Sequence, residues 1–151
     1  SDRRIERVFD DLALLELHRP VRNGAIEPFQ ITRGARSGDS VAVVSYAHDR
    51  SEAASMQDAC TVIGRQENIY VMSCNVDFGS SGAPVFALVG DTPHIVSVIS
   101  AKAEMDGDQV ALGNALEGSV ALLQAQLDEP RRVNDASRGS TGAKFVQAPQ
   151  N

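Results

Sequence analysis

The sequence predicts an all-β fold, an antiparallel sandwich or barrel with one helix near the C-terminus. Two observations predict it: short apolar or alternating runs recur along the chain, and turn residues separate them at regular spacing. The chain has 151 residues, of which 42% are hydrophobic and 23% are charged. That length and composition are typical of one globular domain with a buried core.

Seven runs predict the strands, at 12–17, 41–46, 60–64, 69–76, 83–89, 94–101 and 109–113. The sequence Gly-Asp-Thr-Pro at 90–93 predicts a hairpin connection, because Gly and Pro supply backbone angles that a strand interior rejects. The two strands that flank it are therefore expected to pair with each other.

A helix is predicted at 115–127, where apolar residues recur on one helical face: Leu116, Val120, Leu123 and Leu127. Asn114 is predicted as its N-cap, with Glu117 as the reciprocal partner. The composition then turns polar and rich in Gly, Ser and Gln, so residues 129–151 are predicted to be a mostly mobile tail.

The two cysteines, Cys60 and Cys74, fall in predicted strands that a short turn at 65–68 joins into a hairpin. A disulfide between them is the preferred interpretation, and two reduced, buried thiols are the alternative. A disulfide predicts an oxidising location, periplasmic or secreted. Two cysteines without a neighbouring histidine predict no zinc site, and we expect no metal and no cofactor.

The charge of the chain argues against nucleic acid as a partner, since the net charge is −6 and no basic stripe is present. The sequence contains no apolar run of the roughly 18 residues that a membrane-spanning helix needs, and its first residues lack the apolar core of a signal peptide. The sequence as given therefore predicts neither a membrane anchor nor an export signal.

The segment Asp-Phe-Gly-Ser-Ser-Gly-Ala-Pro at 77–84 is a turn of small residues that leads into an apolar strand. Such a turn presents a serine, here Ser81, between glycines that allow close approach of a substrate. The amides of Gly79 and Ser81 can point together at one oxygen, which is the geometry of an oxyanion hole. Alone, this turn is also compatible with an ordinary loop.

The wider string CNVDFGSSGAPVF resembles the nucleophile loop of the chymotrypsin-like (trypsin and V8-like) serine peptidases, Gly-x-Ser-Gly-Gly/Ser/Ala-Pro followed by a strand. That resemblance implies that Ser81 is the nucleophile. The segment DLALLEL at 11–17 is similar to the segment of the same family that carries the triad acid, Asp-Ile/Leu-Ala-Leu-Leu-x-Leu. It implies that Asp11 is the acid that orients a catalytic histidine.

The strand HIVSVISA at 94–101 resembles the family strand that lines the specificity pocket. The resemblance implies that Ser100 lies near the triad acid, with Ala101 and Lys102 along the pocket wall. The base of the pocket falls near Asn75, which is neither an acid nor clearly basic, so the specificity stays open.

The fold that the resemblance implies is an antiparallel chymotrypsin-like double β-barrel. Residues 1–128 would supply the end of the N-terminal barrel, the C-terminal barrel and the C-terminal helix. Trypsin-like enzymes that mature by proteolysis carry Asp just before the nucleophile, where this chain has Ser80. The bacterial V8-like branch, which also lacks that Asp, is therefore the better fit.

The family's catalytic histidine precedes its aspartate by several dozen residues, but only ten residues precede Asp11 here. His18 lies about 23 Å from Asp11 along a straight strand, and His94 is expected about 20 Å from Ser81 at the far end of a strand pair. His48 falls in a polar loop.

Lys102 is a further candidate base, but a serine–lysine dyad needs a buried, deprotonated lysine. We therefore expect the histidine to come from an N-terminal chain or segment, and we expect the isolated chain to be inactive. The abrupt start at 1–9 favours cleavage or truncation.

The sequence thus predicts a serine endopeptidase that hydrolyses a protein or peptide substrate through an acyl-enzyme at Ser81. One alternative is a non-catalytic peptidase homologue that binds proteins through the same cleft. Another is a small β-sandwich unrelated to peptidases, which predicts that Asp11 and Ser81 lie more than about 12 Å apart, too far for one imidazole to reach both.

Overall fold

The structure is a computed structural model that describes residues 11–32, 34–46, 54–76, 79–130 and 143–147. In chain order its elements are β1 (Ala13–Leu17), β2 (Gln30–Ile31), β3 (Ser40–Tyr46), β4 (Ala54–Gln66), β5 (Ile69–Met72), β6 (Pro84–Val89), β7 (Thr92–Met105), β8 (Asp108–Ala115), α1 (Ser119–Asp128) and β9 (Ala143–Gln147). Almost all strand pairing is antiparallel, and the described residues contain a single helix. The predicted all-β class is confirmed.

Strands β3 to β8 form one closed, six-stranded antiparallel barrel. Around the barrel the order is β6, β3, β4, β5, β8 and β7, and pairing of β7 with β6 closes it. β2 pairs with β7 in parallel at its outer edge. Because the barrel is closed, each of the six strands has a paired neighbour on both sides. The barrel therefore lacks the open edge through which a sheet can pair with another chain.

Bulges bend the two longest strands around the barrel. The register of β4 against β5 shifts after Val62, and the register of β7 shifts once against β6 and once against β8. Each shift inserts one extra residue, Ile63 in β4 and Val96 and Ser100 in β7. A bulge increases local bend and twist, which a barrel of so few strands requires.

The interior of the barrel is filled by apolar side chains rather than open to solvent. The core includes Val41, Val43, Val62, Tyr70, Met72, Val85, Val96, Ile99 and Ala111. In β3 the buried residues alternate with less buried ones, the period expected of a strand with one face toward a core. The Tyr70 hydroxyl accepts hydrogen bonds from the Ala35 amide at 3.0 Å and from Arg65 at 3.3 Å, so this buried phenol is satisfied.

β1 lies outside the barrel and pairs with β9 in antiparallel register, Ala13 opposite Gln147 and Leu17 opposite Ala143. α1 lies beside this two-stranded ribbon and buries Leu123 and Leu127. The predicted mobile tail thus contains a strand that the sequence did not indicate. The rest of that tail beyond residue 130 lies outside the described residues.

The predicted start of the helix was wrong. α1 begins at Ser119 with Gly118 at its N-cap position, not at 115 with Asn114 as the cap. Asn114 belongs to β8, where it pairs with Ile69 on one side and Val98 on the other. Two strand ladders therefore override the local capping signal, as tertiary pairing commonly does.

The strand boundaries differ from prediction mainly in length. The run at 60–64 lies in the second half of β4, which is 13 residues long, and β5 ends at Met72 rather than continuing to 76. The predicted hairpin is confirmed, since Val89 pairs with Thr92 across a two-residue turn.

In the described part of the chain, no helix has the length and apolar character needed to cross a membrane.

The predicted disulfide is confirmed. Cys60 and Cys74 are bonded, with their Cα atoms 4.9 Å apart and both side chains buried. The bond ties β4 to the segment that leaves β5, just before the chain enters the loop of Ser81. The hairpin that carries the loop therefore has a covalent brace.

Replacing Gly113 by Ala is expected to lower the free energy of unfolding by about 1–3 kcal/mol, because overpacking a filled core forces its neighbours to move. The new Cβ would meet Ser97 Oγ, Met72 Cε at 2.9 Å and Val98 O at 3.1 Å. Gly64→Ala is the matched control, since Gly64 also lies in a strand and has no atom within 4 Å of the added Cβ. Denaturant titration measures both, and equal destabilisation would contradict the prediction.

Replacing Cys60 and Cys74 together by Ala is expected to lower the free energy of unfolding by about 3 kcal/mol, the chain-entropy value for a closed loop of about 15 residues. Reductant should destabilise the unaltered protein to a similar extent and leave the double variant unchanged. Mass spectrometry after alkylation should show two labelled thiols only in reduced protein. Equal alkylation with and without reductant would rule out the bond.

Candidate active site

The loop at 79–82 is anchored to β7 by its backbone. Gly82 N donates to Ile99 O at 2.7 Å, Ile99 N donates to Ala83 O at 2.9 Å, and Ala83 N donates to Ser80 O at 2.9 Å. Gly79 and Gly82 have φ of 95° and 86°, values that favour glycine. The two glycines thus allow the chain to turn tightly against the barrel wall.

The loop presents Ser81 and buries its neighbour. Ser81 is exposed, whereas Ser80 is only 5% exposed. The Ser81 hydroxyl donates to the carbonyl oxygen of Ser100 at 3.3 Å. Of the two adjacent serines, the one that the sequence singles out is therefore the one that an external molecule can reach.

Ser100 also contacts Asp11, from the other end of the residue. Its hydroxyl donates to Asp11 Oδ2 at 2.6 Å, a length typical of a hydrogen bond to a carboxylate. Ser100 is the extra residue of the bulge between β7 and β8, because Ile99 pairs with Gly113 and Ala101 with Leu112. The bulge therefore sets the orientation of Ser100, which contacts both Ser81 and Asp11.

The positions of these bonds limit the distance between serine and carboxylate. Since Ser100 spans only a few ångströms from its carbonyl oxygen to its hydroxyl, Ser81 Oγ and Asp11 Oδ2 are at most about 10 Å apart. An imidazole that bridges a serine and a carboxylate makes two hydrogen bonds of about 2.6–3.2 Å. The separation is therefore compatible with a bridging histidine.

Asp11 has a second attachment that the sequence did not indicate. The side-chain amide of Asn114 donates to the backbone oxygen of Asp11 at 3.0 Å. Asn114 is 2% exposed and belongs to the run of buried residues in β8. A polar residue in such a run is a signal for a buried hydrogen bond, but its partner, 103 positions away, is not readable from the sequence.

The amides predicted as an oxyanion hole belong to exposed residues. No described residue accepts a backbone hydrogen bond from Gly79 or Ser81. Asp77 and Phe78, which precede them in the predicted motif, lie outside the described residues. The two amides remain predicted donors to a substrate oxygen.

The predicted specificity residues lie on two segments. Asn75 is exposed between two buried neighbours. Ala101 and Lys102 are partly buried in β7, where they pair with Leu112 and Ala111. Their proposed contacts with a substrate stay predictions.

His94 is remote from Ser81. His94 pairs with Ala87 and Gln30, six positions before Ser100 in β7 and so about 20 Å from it. His18 is exposed just after the end of β1, and His48 lies outside the described residues. Within the described part of the chain, no cluster of His, Cys, Asp or Glu could hold a metal ion.

A groove of about 680 Å³ lies elsewhere on the barrel, along β3 and β6. Its wall is largely apolar and includes Phe29, Val44, Phe86, Leu88 and Pro93. None of the residues that join Ser81 to Asp11 contributes to it. The groove is therefore separate from the candidate site.

Neither the protein-family models nor the curated proteins contain a match to this chain.

Replacing Gly82 by Ala is expected to lower the free energy of unfolding by about 1–2 kcal/mol, the cost of a left-handed backbone for an L-residue. Nothing lies within 4 Å of the added Cβ, so the effect is one of backbone conformation and not of crowding. Gly24→Ala is the control, because that glycine is equally open and lacks a positive φ. Denaturant titration that finds both variants equally stable would refute this account of the loop.

Proposed function

We propose that this chain is the C-terminal part of a chymotrypsin-like serine peptidase. The observation that supports the proposal most directly is the position of Ser100, whose two oxygens contact the predicted nucleophile and the predicted acid. In this proposal β1 is the end of the N-terminal barrel, β3 to β8 are the C-terminal barrel, and α1 is the C-terminal helix. The closed barrel and the order of Asp11 before Ser81 agree with it.

The proposed reaction is hydrolysis of a peptide bond through an acyl-enzyme. The hydroxyl of Ser81 gives its proton to a histidine and attacks the carbonyl carbon, and the histidine then protonates the leaving amine. A water molecule then gives a proton to the histidine and attacks the acyl carbon. The histidine returns the proton to the Ser81 oxygen as the acid product leaves. The amides of Gly79 and Ser81 stabilise the oxyanion in both steps.

In this proposal the histidine is supplied by an N-terminal chain or segment. Asp11 Oδ2 accepts the Ser100 hydroxyl, and the carboxylate has a second oxygen, Oδ1. That oxygen can accept Nδ1–H, hold the imidazole in one tautomer and stabilise the imidazolium. Ser81 would then exchange its hydrogen bond with Ser100 O for one with Nε2.

The proposed substrate is a protein or peptide that lies along β7. Ala101 and Lys102 would flank its backbone, and Asn75 would lie near the base of the pocket. The burial of Ser80 is compatible with a branch of the family that lacks an acid at this position. The disulfide supports a periplasmic or secreted location, where such bonds persist.

The alternative of an unrelated β-sandwich is disfavoured by the same geometry. That hypothesis places Asp11 and Ser81 more than about 12 Å apart, whereas the two groups are within about 10 Å. The barrel is also closed and not split into two packed sheets. The non-catalytic homologue differs from the enzyme only in reactivity, so an activity-based probe separates the two.

The test is labelling of the native protein, with any chain that copurifies, by a fluorophosphonate serine-hydrolase probe. Ser81→Ala should abolish labelling, because the probe reacts only with an activated serine. Ser80→Ala is the matched control in the same loop and should label as the unaltered protein does. Asp11→Asn should slow labelling by about 10³–10⁴-fold, since it favours the wrong tautomer of the histidine.

Absence of labelling from folded protein, with its copurifying chains present, would overturn the proposal and favour a binding role for the cleft. Labelling that persists in Ser81→Ala would place the reactive serine elsewhere. Cleavage of a casein substrate that follows the same pattern of variants would establish hydrolysis itself.

A further inference from the structure

We propose that Asn114 is a positioning residue that holds the triad acid in place through its backbone. The inference deepens the proposed function and rests on it for the role of Asp11. The contact itself is a hydrogen bond from Asn114 Nδ2 to Asp11 O at 3.0 Å. It joins the closed barrel to the segment that enters β1.

Asn114 is a rigid point from which to hold another residue. Its backbone pairs with Ile69 of β5 and with Val98 of β7, so it is fixed on both sides. Its carbonyl oxygen also accepts the hydroxyl of Ser97 at 2.8 Å, and Ser97 is fully buried. The side chain of Asn114 therefore projects from a part of the barrel that has little freedom to move.

The amide is in a place where an apolar side chain would otherwise be expected. Val110, Leu112 and Ala115 in the same strand are all buried, and Asn114 is 2% exposed. Burying an amide without a hydrogen-bond partner is destabilising. The hydrogen bond to Asp11 offsets this cost, so the buried amide is linked directly to the position of the acid.

Asp11 needs such an attachment because its strand is not part of the barrel. β1 pairs with β9 alone among the described strands, and a two-stranded ribbon is only marginally stable by itself. Ser100 holds the carboxylate and Asn114 holds the backbone oxygen. Two contacts at opposite ends of one residue fix both its place and its orientation relative to Ser81.

The expected consequence is kinetic, because a displacement of about 1 Å in a catalytic group can cost 10²-fold in rate. Asn114→Ala should slow fluorophosphonate labelling of Ser81 by about 10–100-fold. Ser97→Ala is the matched control, since it removes a buried hydrogen bond to the same residue but leaves the side-chain amide intact. That control should label within about 3-fold of the unaltered protein.

A double variant separates positioning from general destabilisation. If Asn114 acts through Asp11, combining Asn114→Ala with Ser100→Ala should slow labelling by much less than the product of the two single effects, because both remove attachments of one residue. Combining Ser97→Ala with Ser100→Ala should give independent effects. Independent effects in both pairs would overturn the proposal.

A second readout does not depend on catalysis. Hydrogen exchange of the backbone amides at 11–17 should become faster in Asn114→Ala, whereas Ser97→Ala should leave it unchanged. Faster exchange in a protein whose serine is never labelled would support the positioning contact and reject the proposed function. Labelling of Asn114→Ala at the rate of the control would reject the positioning role and leave the proposed function standing.

If Asn114→Ala does not fold, NMR of the unaltered protein decides the question. The side-chain amide protons of Asn114 should exchange slowly and show nuclear Overhauser contacts to Asp11 or Leu12. Side-chain protons that exchange at the rate of a free amide would overturn the proposal.

Discussion

The arrangement of the candidate site depends on the bulge that Ser100 makes in β7. A regular β7–β8 ladder would pair this residue with β8, and its backbone would then take part in the sheet. The bulge instead leaves Ser100 unpaired between Ile99 and Ala101. Its carbonyl meets Ser81 and its hydroxyl meets Asp11. One irregular residue thus connects the loop, the barrel and the strand outside it.

The barrel can maintain this irregular residue because the barrel is closed and the residue has several supports around it. β7 is the longest strand, and its ladder with β8 continues on both sides of the break, over 97–99 and 101–105. The loop of Ser81 is attached to the same strand through Ile99, and the disulfide braces the segment before it. The three supports are independent of one another, which is how a precise geometry is held on a small scaffold.

Much of the fold could be predicted from the sequence, and so could three residues that the structure brings together, Ser81, Ser100 and Asp11. Apolar alternation marked the barrel strands, and small residues marked the loop of Ser81. The capping pattern at Asn114 was misleading because it is local, whereas the residue is paired on both sides by distant strands. β9 was missed because a short strand with one partner leaves little compositional trace. The bulge at Ser100 was not predictable, since it depends on how two strands register against each other.

The distance along the chain between the groups that meet has a consequence for how the protein is made. Asp11 and Ser100 are 89 positions apart, and Asp11 and Asn114 are 103 apart. Asp11 leaves the ribosome before both of its anchors, which emerge only after most of the barrel strands have been synthesised. Contacts of such long range form late, once loop closure has brought the ends together. In the nascent chain Asp11 and Ser81 are therefore separated, and they come together only when the barrel closes.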